Sequence, residues 1–167
     1  TDTGLMTALE NGDMWFHSDQ CYYEYPCKAS TLYAMEIPSE GGNTLFANCY
    51  TAWETLDPAV QKAVEDRAAK HDFTYTSPGH RRKDYPQVTD PSKAPGPSHP
   101  IVRTHPETKR KCLYLGRRLN SYIMGLPLDE SEKLLDKLWL NATKPEFSYE
   151  HVWAVGDLIM WDNRCAM

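Results

Sequence analysis

A histidine and an aspartate two residues apart, His17 and Asp19, are the first side chains along the sequence whose types and spacing could bind a metal ion. In a β-strand, residues i and i+2 point to the same side, so both side chains could reach one ion while Ser18 points away. An imidazole and a carboxylate suit non-haem Fe(II), for which another histidine would complete a two-histidine, one-carboxylate triad with open positions. A His-x-Asp pattern by itself also recurs by chance, usually as a surface histidine paired with an aspartate.

Two predicted β-strands follow this pattern along the chain. They cover residues 30–37 and 43–48, where β-branched and aromatic residues alternate with other types. The turn between them contains Gly41 and Gly42, which permit backbone conformations that other residues avoid. This part of the chain is therefore predicted to form sheet.

Two helices are predicted in the middle of the chain. Asp57 followed by Pro58 is a typical helix start, and the apolar spacing after it predicts a helix that runs to Lys70. A second helix is predicted to begin at Asp129 after a strand over residues 111–115. Its apolar stripe consists of Leu134, Leu135, Leu138 and Trp139.

Strands are also predicted at the end of the chain, as a hairpin around Gly156 and Asp157. Because strands and helices do not alternate, an antiparallel sheet closed on itself fits better than a doubly wound parallel sheet. The predicted fold class is mainly β with helical insertions (α+β). With 41% apolar residues, the 167-residue chain is long enough for one well-filled core, so a single domain over residues 1–167 is predicted.

The composition excludes several classes of protein. No apolar run approaches the roughly 18 to 20 residues that a membrane-spanning helix needs, so no membrane partner is expected. The five cysteines are odd in number and irregularly spaced, without a Cys-x-x-Cys pattern. Such usage fits neither a disulfide framework nor a zinc site, and it indicates free thiols in a reducing, cytoplasmic compartment.

The positive charge is concentrated in one region. Residues 79–118 carry ten lysines and arginines against three acids, a local charge of +7, whereas the rest of the chain carries −12. The chain as a whole is acidic and lacks the helical or aromatic-interleaved basic pattern of nucleic-acid readers, so no nucleic-acid partner is expected. Seven of the twelve prolines lie in residues 76–106, which predicts a lid or a mobile loop. The basic residues form either a solvated loop or a lid that attracts a small anionic substrate.

Four motifs, in order, resemble the iron- and 2-oxoglutarate-dependent dioxygenases of the taurine dioxygenase (TauD/TfdA) family. They are the His-x-Asp pattern with the following Pro26, then "IPSEGGNTLFAN", "HPIVRTHPETKRKCLYL" and the closing "GDLIMWDNRCAM". The resemblance covers nearly all of the chain. It implies a double-stranded β-helix (jelly roll, cupin-like) core.

Carried over residue by residue, the resemblance makes His17 and Asp19 two of the three iron ligands. Thr44 falls where the family uses a threonine hydroxyl to hold the distal carboxylate of 2-oxoglutarate. The remaining ligand of the family is a histidine soon after "WDNR", which places it just after Met167, and a 2-oxoglutarate-binding arginine follows later. The chain therefore resembles the central part of a longer protein and is expected to be incomplete at both ends. Substitution of the third ligand by Cys165 or His151 is the alternative.

The resemblance implies an enzyme that uses Fe(II), 2-oxoglutarate and O2 to hydroxylate a small anionic organic substrate, with release of succinate and CO2. Relatives act on phenoxyalkanoates, sulfonates or alkyl sulfates. Asp13 lies where some relatives place a substrate-contacting residue, and an acid there disfavours a nearby anion. His105 is expected to be structural, because the matching family residue is not a metal ligand. A homo-oligomer is also expected.

Two functions of other classes remain open from the sequence. An inactive ligand-binding module on the same jelly-roll fold would lack the distal histidine or arginine. A metal-dependent hydrolase would use His17 and Asp19 around zinc and would be active without O2 or 2-oxoglutarate.

Overall fold

A computed structural model describes residues 15–76 and 79–167, so Asp13 lies outside the described residues. The described part of the chain is mixed α and β, with more strands than helices, in agreement with the predicted fold class. Its strands are β1 (Ala29–Tyr33), β2 (Thr44–Ala47), β3 (Ala68–Lys70), β4 (Ser98–Pro100), β5 (Val102–Thr104), β6 (Lys111–Leu113), β7 (Tyr122–Ile123), β8 (Ser148–His151) and β9 (Leu158–Asp162). Its α-helices are α1 (Cys49–Glu54), α2 (Pro58–Val64) and α3 (Leu128–Ala142). None of these helices is long and apolar enough to cross a membrane.

The strands pair antiparallel, and all of these pairings except the local one of β5 with β6 join distant parts of the sequence. β1 pairs with β9, β2 with β8, β5 with β6, and β3 lies between β4 and β7. The predicted hairpin around Gly156 and Asp157 is therefore wrong, because the two strands that flank this turn belong to different sheets. The turn itself is present, and Gly156 supports it with a φ of +95°. Turn residues predicted a reversal of the chain, but they do not determine which strand edges meet.

The first predicted helix starts where expected and ends early. The Asp57 side chain accepts the backbone N–H of Ala59 at 2.8 Å, and Pro58 occupies the first turn. The helix ends at Val64, and the prediction that it continues to Lys70 is wrong, because β3 occupies the last three of these residues. Both edges of β3 are paired, so sheet formation there overrides the helical propensity of alanine and lysine.

The main core lies where α1 and α3 pack against β6 and β7. α1 was not predicted; it begins after Asn48, whose side chain accepts the N–H groups of Tyr50 and Thr51. α3 confirms the second predicted helix, and Leu135, Leu138 and Trp139 of its stripe are buried. Leu134 is partly buried against the same core. The core holds one side of the sheets in place.

The β1–β9 and β2–β8 sheets contact each other through aromatic side chains. Ser30 of β1 lies opposite Trp161 of β9, and directly opposed residues of an antiparallel pair share a face. The Trp161 ring is 5.1 Å from the ring of Phe46 on β2. Thr44 is two residues before Phe46 and therefore lies on the same face of β2. The faces that carry Ser30 and Thr44 thus border one space between the two sheets.

Candidate metal centre

His17 and Asp19 converge, although the segment that carries them is not the predicted strand. They lie in an irregular stretch and the turn that follows it, and the Nε2 of His17 is 3.3 Å from Oδ1 of Asp19. Two ligand atoms at neighbouring corners of an octahedral metal ion are about 3 Å apart when each bond is about 2.1 Å long. The spacing therefore fits two ligands of one ion.

Among the described residues, the hydrogen bonds around this pair leave one atom of each side chain free for a cation. Nδ1 of His17 donates to the Trp15 carbonyl at 2.8 Å, so Nε2 carries the lone pair when the ring is neutral. The Ser30 hydroxyl donates to Oδ2 of Asp19, which leaves Oδ1 facing His17. Two acceptor atoms that face each other at 3.3 Å repel unless a proton or a metal ion lies between them. The imidazole nitrogen of His17 and the carboxylate oxygen of Asp19 are therefore chemically suited to bind one metal ion.

The pKa values of His17 and Asp19 are both shifted in the direction that favours a positive charge between them. Burial lowers the pKa of His17, but hydrogen bonds to Asp19 and the Trp15 carbonyl outweigh burial and leave this pKa above its usual value. His17 in turn lowers the pKa of Asp19, assisted by Ser30 and opposed by burial. A proton therefore competes with a metal ion for Nε2 of His17, and metal affinity must fall as the pH falls.

A single buried amide clamps the backbone of Asp19. Oδ1 of Asn163 accepts the Asp19 N–H at 2.8 Å, and its Nδ2 donates to the Asp19 carbonyl at 2.8 Å. The same Nδ2 donates to the Cys27 carbonyl at 3.1 Å. Asn163 is only 1% exposed. Sequence reasoning missed this role, and the only signal was the position of Asn163 within the "WDNR" motif.

Thr44 lies on the shared face, and no acceptor within residues 15–76 and 79–167 takes its hydroxyl hydrogen. Nε1 of Trp153 donates to its Oγ1 at 3.0 Å, and an indole nitrogen can only donate. The threonine oxygen is therefore the acceptor in this bond, and its own hydroxyl hydrogen stays available for an anion. His151 packs edge-on against Trp153 with ring centroids 4.6 Å apart.

The other candidate ligands lie in groups apart from His17 and Asp19. His151 donates from Nε2 to Asp157 at 3.0 Å, and no group in the described residues brings it or Cys165 together with His17 and Asp19. Ligand atoms of His105, Asp162 and Cys165 lie within 4.8 Å of one another. This cluster is already satisfied internally, because the His105 ring bonds Asp162 and two backbone N–H groups, while Arg164 also bonds Asp162. These contacts support a structural role for His105.

Two buried histidines, His71 and His99, pack near the turn that carries Asp19. Nε2 of His99 is 3.0 Å from both the Cys21 and the Tyr23 carbonyls and donates to them, which fixes the turn after Asp19. The His71 ring lies 5.1 Å from that of His99 and is 2% exposed. Gly116, with a φ of +66°, leaves room for His71, since an added Cβ would lie 2.1 Å from the His71 Nδ1. The Gly116 carbonyl also accepts the N–H of Ser18, the residue between the two candidate ligands, at 2.8 Å.

His71 is expected to make stability depend on pH. Burial, followed by the nearby charges of His99, Arg103 and Arg117, lowers the pKa of His71 to about 3. The unfolded chain binds a proton there below about pH 6.5 and the folded chain does not, so stability falls as the pH drops from 6.5 towards 3. Between pH 7 and pH 5 this residue alone should lower the free energy of unfolding by about 2 kcal/mol.

Urea unfolding of the intact protein at both pH values measures this effect. A His71→Gln variant should lose the difference attributed to His71, whatever its own stability at pH 7. His80→Gln, at an exposed position, is the control and should keep the full difference. A His71→Gln variant with unchanged pH dependence would contradict the prediction.

Comparison with known proteins places the chain in a family. The family model "Taurine catabolism dioxygenase TauD, TfdA family" matches residues 2–167. The (S)-phenoxypropionate/alpha-ketoglutarate-dioxygenase of Sphingobium herbicidovorans is 36% identical over 100% of this chain and 60% of its own length. The alpha-ketoglutarate-dependent 2,4-dichlorophenoxyacetate dioxygenase of Cupriavidus pinatubonensis is 36% identical over 92% of this chain and 53% of its own length.

A solved structure agrees with the sequence relatives. The crystal structure of AAD-2 in complex with Mn(II) and N-oxalylglycine is similar with a TM-score of 0.79 and 34% identity, over 99% of this chain and 64% of that one. The chain thus spans between 53% and 64% of the length of these three proteins. On the family match over residues 2–167 and on these relatives, the chain belongs to the TauD/TfdA family of taurine catabolism dioxygenases.

Proposed function

We propose that the intact protein is an Fe(II)- and 2-oxoglutarate-dependent dioxygenase that hydroxylates a small anionic organic substrate and releases succinate and CO2. The observation that carries this proposal is the pair of free acceptor atoms, Nε2 of His17 and Oδ1 of Asp19, that face each other at 3.3 Å. Their types are those of a two-histidine, one-carboxylate iron site. Membership of the dioxygenase family supplies the cosubstrates, 2-oxoglutarate and O2.

The third ligand in this proposal is a histidine directly after Met167. The Ala47 N–H donates to the Met167 carbonyl at 2.7 Å, and the Met167 N–H donates to the Ala47 carbonyl at 3.3 Å, so these residues lie directly opposite each other. The position after Met167 would then lie opposite Phe46 and share its face, towards the space between the two sheets. The same arrangement, two sheets with strands paired across the length of the chain, supports a jelly-roll core.

The protein's part in the chemistry is binding and orientation. Bound Fe(II) supplies the activation of O2 and the oxidation of a substrate carbon. His17 and Asp19 would hold the ion through Nε2 and Oδ1. The hydroxyl hydrogen of Thr44 would donate to the distal carboxylate of 2-oxoglutarate, and the bond from Trp153 restricts the rotation of that hydroxyl.

Charge and packing near the turn support an anionic substrate. The Arg82 guanidinium lies over the rings of Tyr22 and Phe73, at 5.1 and 4.6 Å, and makes no ion pair within residues 15–76 and 79–167. Arg117 lies 5.0 Å from the same Tyr22 ring. Tyr22 is three residues after Asp19, whereas Tyr25 is 85% exposed and is not part of this cluster.

Of phenoxyalkanoates, sulfonates and alkyl sulfates, the phenoxyalkanoates are favoured by the two relatives described above.

The proline-rich segment, residues 76–106, is proposed to cover the site as a lid. The contact of Arg82 with Tyr22 supports this role, whereas residues 98–100 and 102–104 of the segment belong to β4 and β5 and are paired in sheets. A homo-oligomer and a cytoplasmic location stay predictions. The exposed apolar side chains Tyr33 and Met160 on the outer face of β1–β9 support an assembly, which light scattering of the intact protein would test.

Anaerobic titration of the intact protein with Fe(II) and 2-oxoglutarate tests the proposed function. A weak visible charge-transfer band is expected when both are present and in neither single addition, because it arises from the chelated keto acid. Succinate release with phenoxyalkanoates, sulfonates and alkyl sulfates then ranks the substrate types. Absence of the band would rule out a dioxygenase, and hydrolysis without O2 would favour a metal-dependent hydrolase instead.

Thr44 offers a separate measurement of the 2-oxoglutarate site. Thr44→Val keeps the branched shape but removes the hydroxyl, and should weaken 2-oxoglutarate binding to the metal-loaded protein by roughly tenfold, the scale of one hydrogen bond to a charged group. Metal affinity without 2-oxoglutarate should not change. Thr31→Val, an exposed threonine on β1, is the matched control. Equal 2-oxoglutarate affinities in the two variants would remove Thr44 from the site.

A further inference from the structure

We propose that Ser30 is a positioning residue that restricts Asp19 to binding the metal through one oxygen. This inference rests on the proposed function, because it concerns the same ion. It adds a residue that the family motifs do not include and assigns it a defined effect on the coordination of the metal.

The contact between Ser30 and Asp19 is specific to one carboxylate oxygen. An ionised carboxylate can only accept, so the Ser30 hydroxyl is the donor and Oδ2 the acceptor. Oδ1, the other oxygen, faces Nε2 of His17. The carboxylate therefore presents one oxygen to the ion and keeps the other occupied by a hydroxyl.

Ser30 is held in place by the strand that contains it and by a contact with Cys27. It lies in β1, where the antiparallel ladder with β9 places it opposite Trp161. The Sγ of Cys27 lies 3.5 Å from the Ser30 hydroxyl oxygen, and the Cys27 carbonyl is bonded to Asn163. Asn163 also bonds the Asp19 backbone, so the segments that carry the Ser30 donor and the Asp19 acceptor are both attached to the residue directly after β9. A hydroxyl on this strand can therefore determine the orientation of the carboxylate.

The orientation of the Asp19 carboxylate determines how many coordination positions of the ion stay open. An octahedral ion with two histidines and one carboxylate oxygen has three positions left. A chelating 2-oxoglutarate takes two of them, and the last must stay open for O2. If Oδ2 also bound the ion, the carboxylate would occupy that last position. Ser30 thus prevents Asp19 from closing the site that O2 needs.

Water-proton relaxation on the intact protein loaded with Mn(II) and 2-oxoglutarate tests this inference without any turnover. Mn(II) bound this way should keep one exchangeable water in the wild-type protein, and that water reports the open position. Ser30→Val should lose this water, and with it the inner-sphere part of the relaxation enhancement. Ser30→Thr, which restores the hydroxyl on a side chain of the same shape, should behave as the wild type.

Thr31→Val is the matched control, because it removes a hydroxyl from the neighbouring, exposed residue of the same strand. It should leave the bound water in place. If Ser30→Val binds Mn(II) and 2-oxoglutarate and keeps its water, the inference is overturned while the proposed function stands. If the wild-type protein does not bind Mn(II) through His17 and Asp19, the proposed function itself fails. A Ser30→Thr variant that loses the water would also overturn the role of the hydroxyl.

Discussion

Asp19→Asn is expected to weaken metal binding by the intact protein more than 100-fold and to abolish substrate-dependent succinate release. The amide keeps the shape of the side chain and can still accept the Ser30 hydroxyl, so the turn should persist. The charge that attracts the ion is lost, and an amide oxygen is a far weaker ligand than a carboxylate. Loss of groups that merely orient ligands typically costs 10- to 100-fold in metal affinity, and loss of a ligand should exceed that range.

The chain contains a second histidine–aspartate pair that serves as a matched control. Nε2 of His151 is 3.0 Å from Asp157, and the exposure of the two carboxylates, 32% for Asp19 and 34% for Asp157, is nearly equal. Asp157→Asn therefore removes the same charge from a similar environment and should change metal affinity less than threefold. Ion pairs at the protein surface contribute up to about 1 kcal/mol to stability, and both carboxylates are about one third exposed, so both variants should remain folded.

Competition titration with a chromophoric chelator under anaerobic conditions measures both affinities. The two variants must be compared at one pH, because the raised pKa of His17 makes protons compete with the ion. Because the pKa of His17 is raised, protons should already compete with the metal ion above pH 6.5, and this competition should grow as the pH falls. Equal losses in Asp19→Asn and Asp157→Asn would contradict the assignment of the metal site to His17 and Asp19.

The local elements were predictable because their determinants are close in sequence. Asp57 and Pro58 start α2 through contacts within three residues, and the leucine stripe of α3 follows from helical spacing. The convergence of His17 and Asp19 was also predicted, although a turn and not a strand brings them together. The start of α2 and the stripe of α3 are therefore specified within short segments, whereas the turn at Asp19 also depends on distant residues.

The pairing of strands and the support of the site were not predictable in this way. β3 is a strand because β4 and β7 bind its two edges, and the Gly156 turn joins strands of different sheets. Asn163 contacts Asp19 across 144 residues of sequence. No spacing rule connects positions so far apart, so the residues that orient the ligands were visible only in the folded chain.

Asn163→Ala is expected to combine a loss of stability with a loss of metal affinity of 10- to 100-fold. The substitution leaves the N–H and the carbonyl of Asp19 and the carbonyl of Cys27 without their partner inside the protein. An unpaired buried group costs about 1 to 3 kcal/mol, so a total loss of roughly 2 to 4 kcal/mol is expected once water reaches some of these groups. The affinity loss has a separate cause, since the freed turn no longer holds Asp19 towards His17.

Asn141→Ala distinguishes these two effects. Asn141 is also buried, and its Nδ2 donates to the Ala52 carbonyl at 2.7 Å, in the core between α1 and α3. Its replacement should lower the free energy of unfolding to a similar degree, while the metal affinity of the folded protein stays within about threefold of wild type. Both variants are measured well below their melting temperatures, so that unfolding does not contribute to the apparent affinity. Equal metal affinities in the two variants would show that Asn163 contributes to stability but not to metal binding. Its hydrogen bonds to the Asp19 backbone would then have no effect on how Asp19 binds the ion.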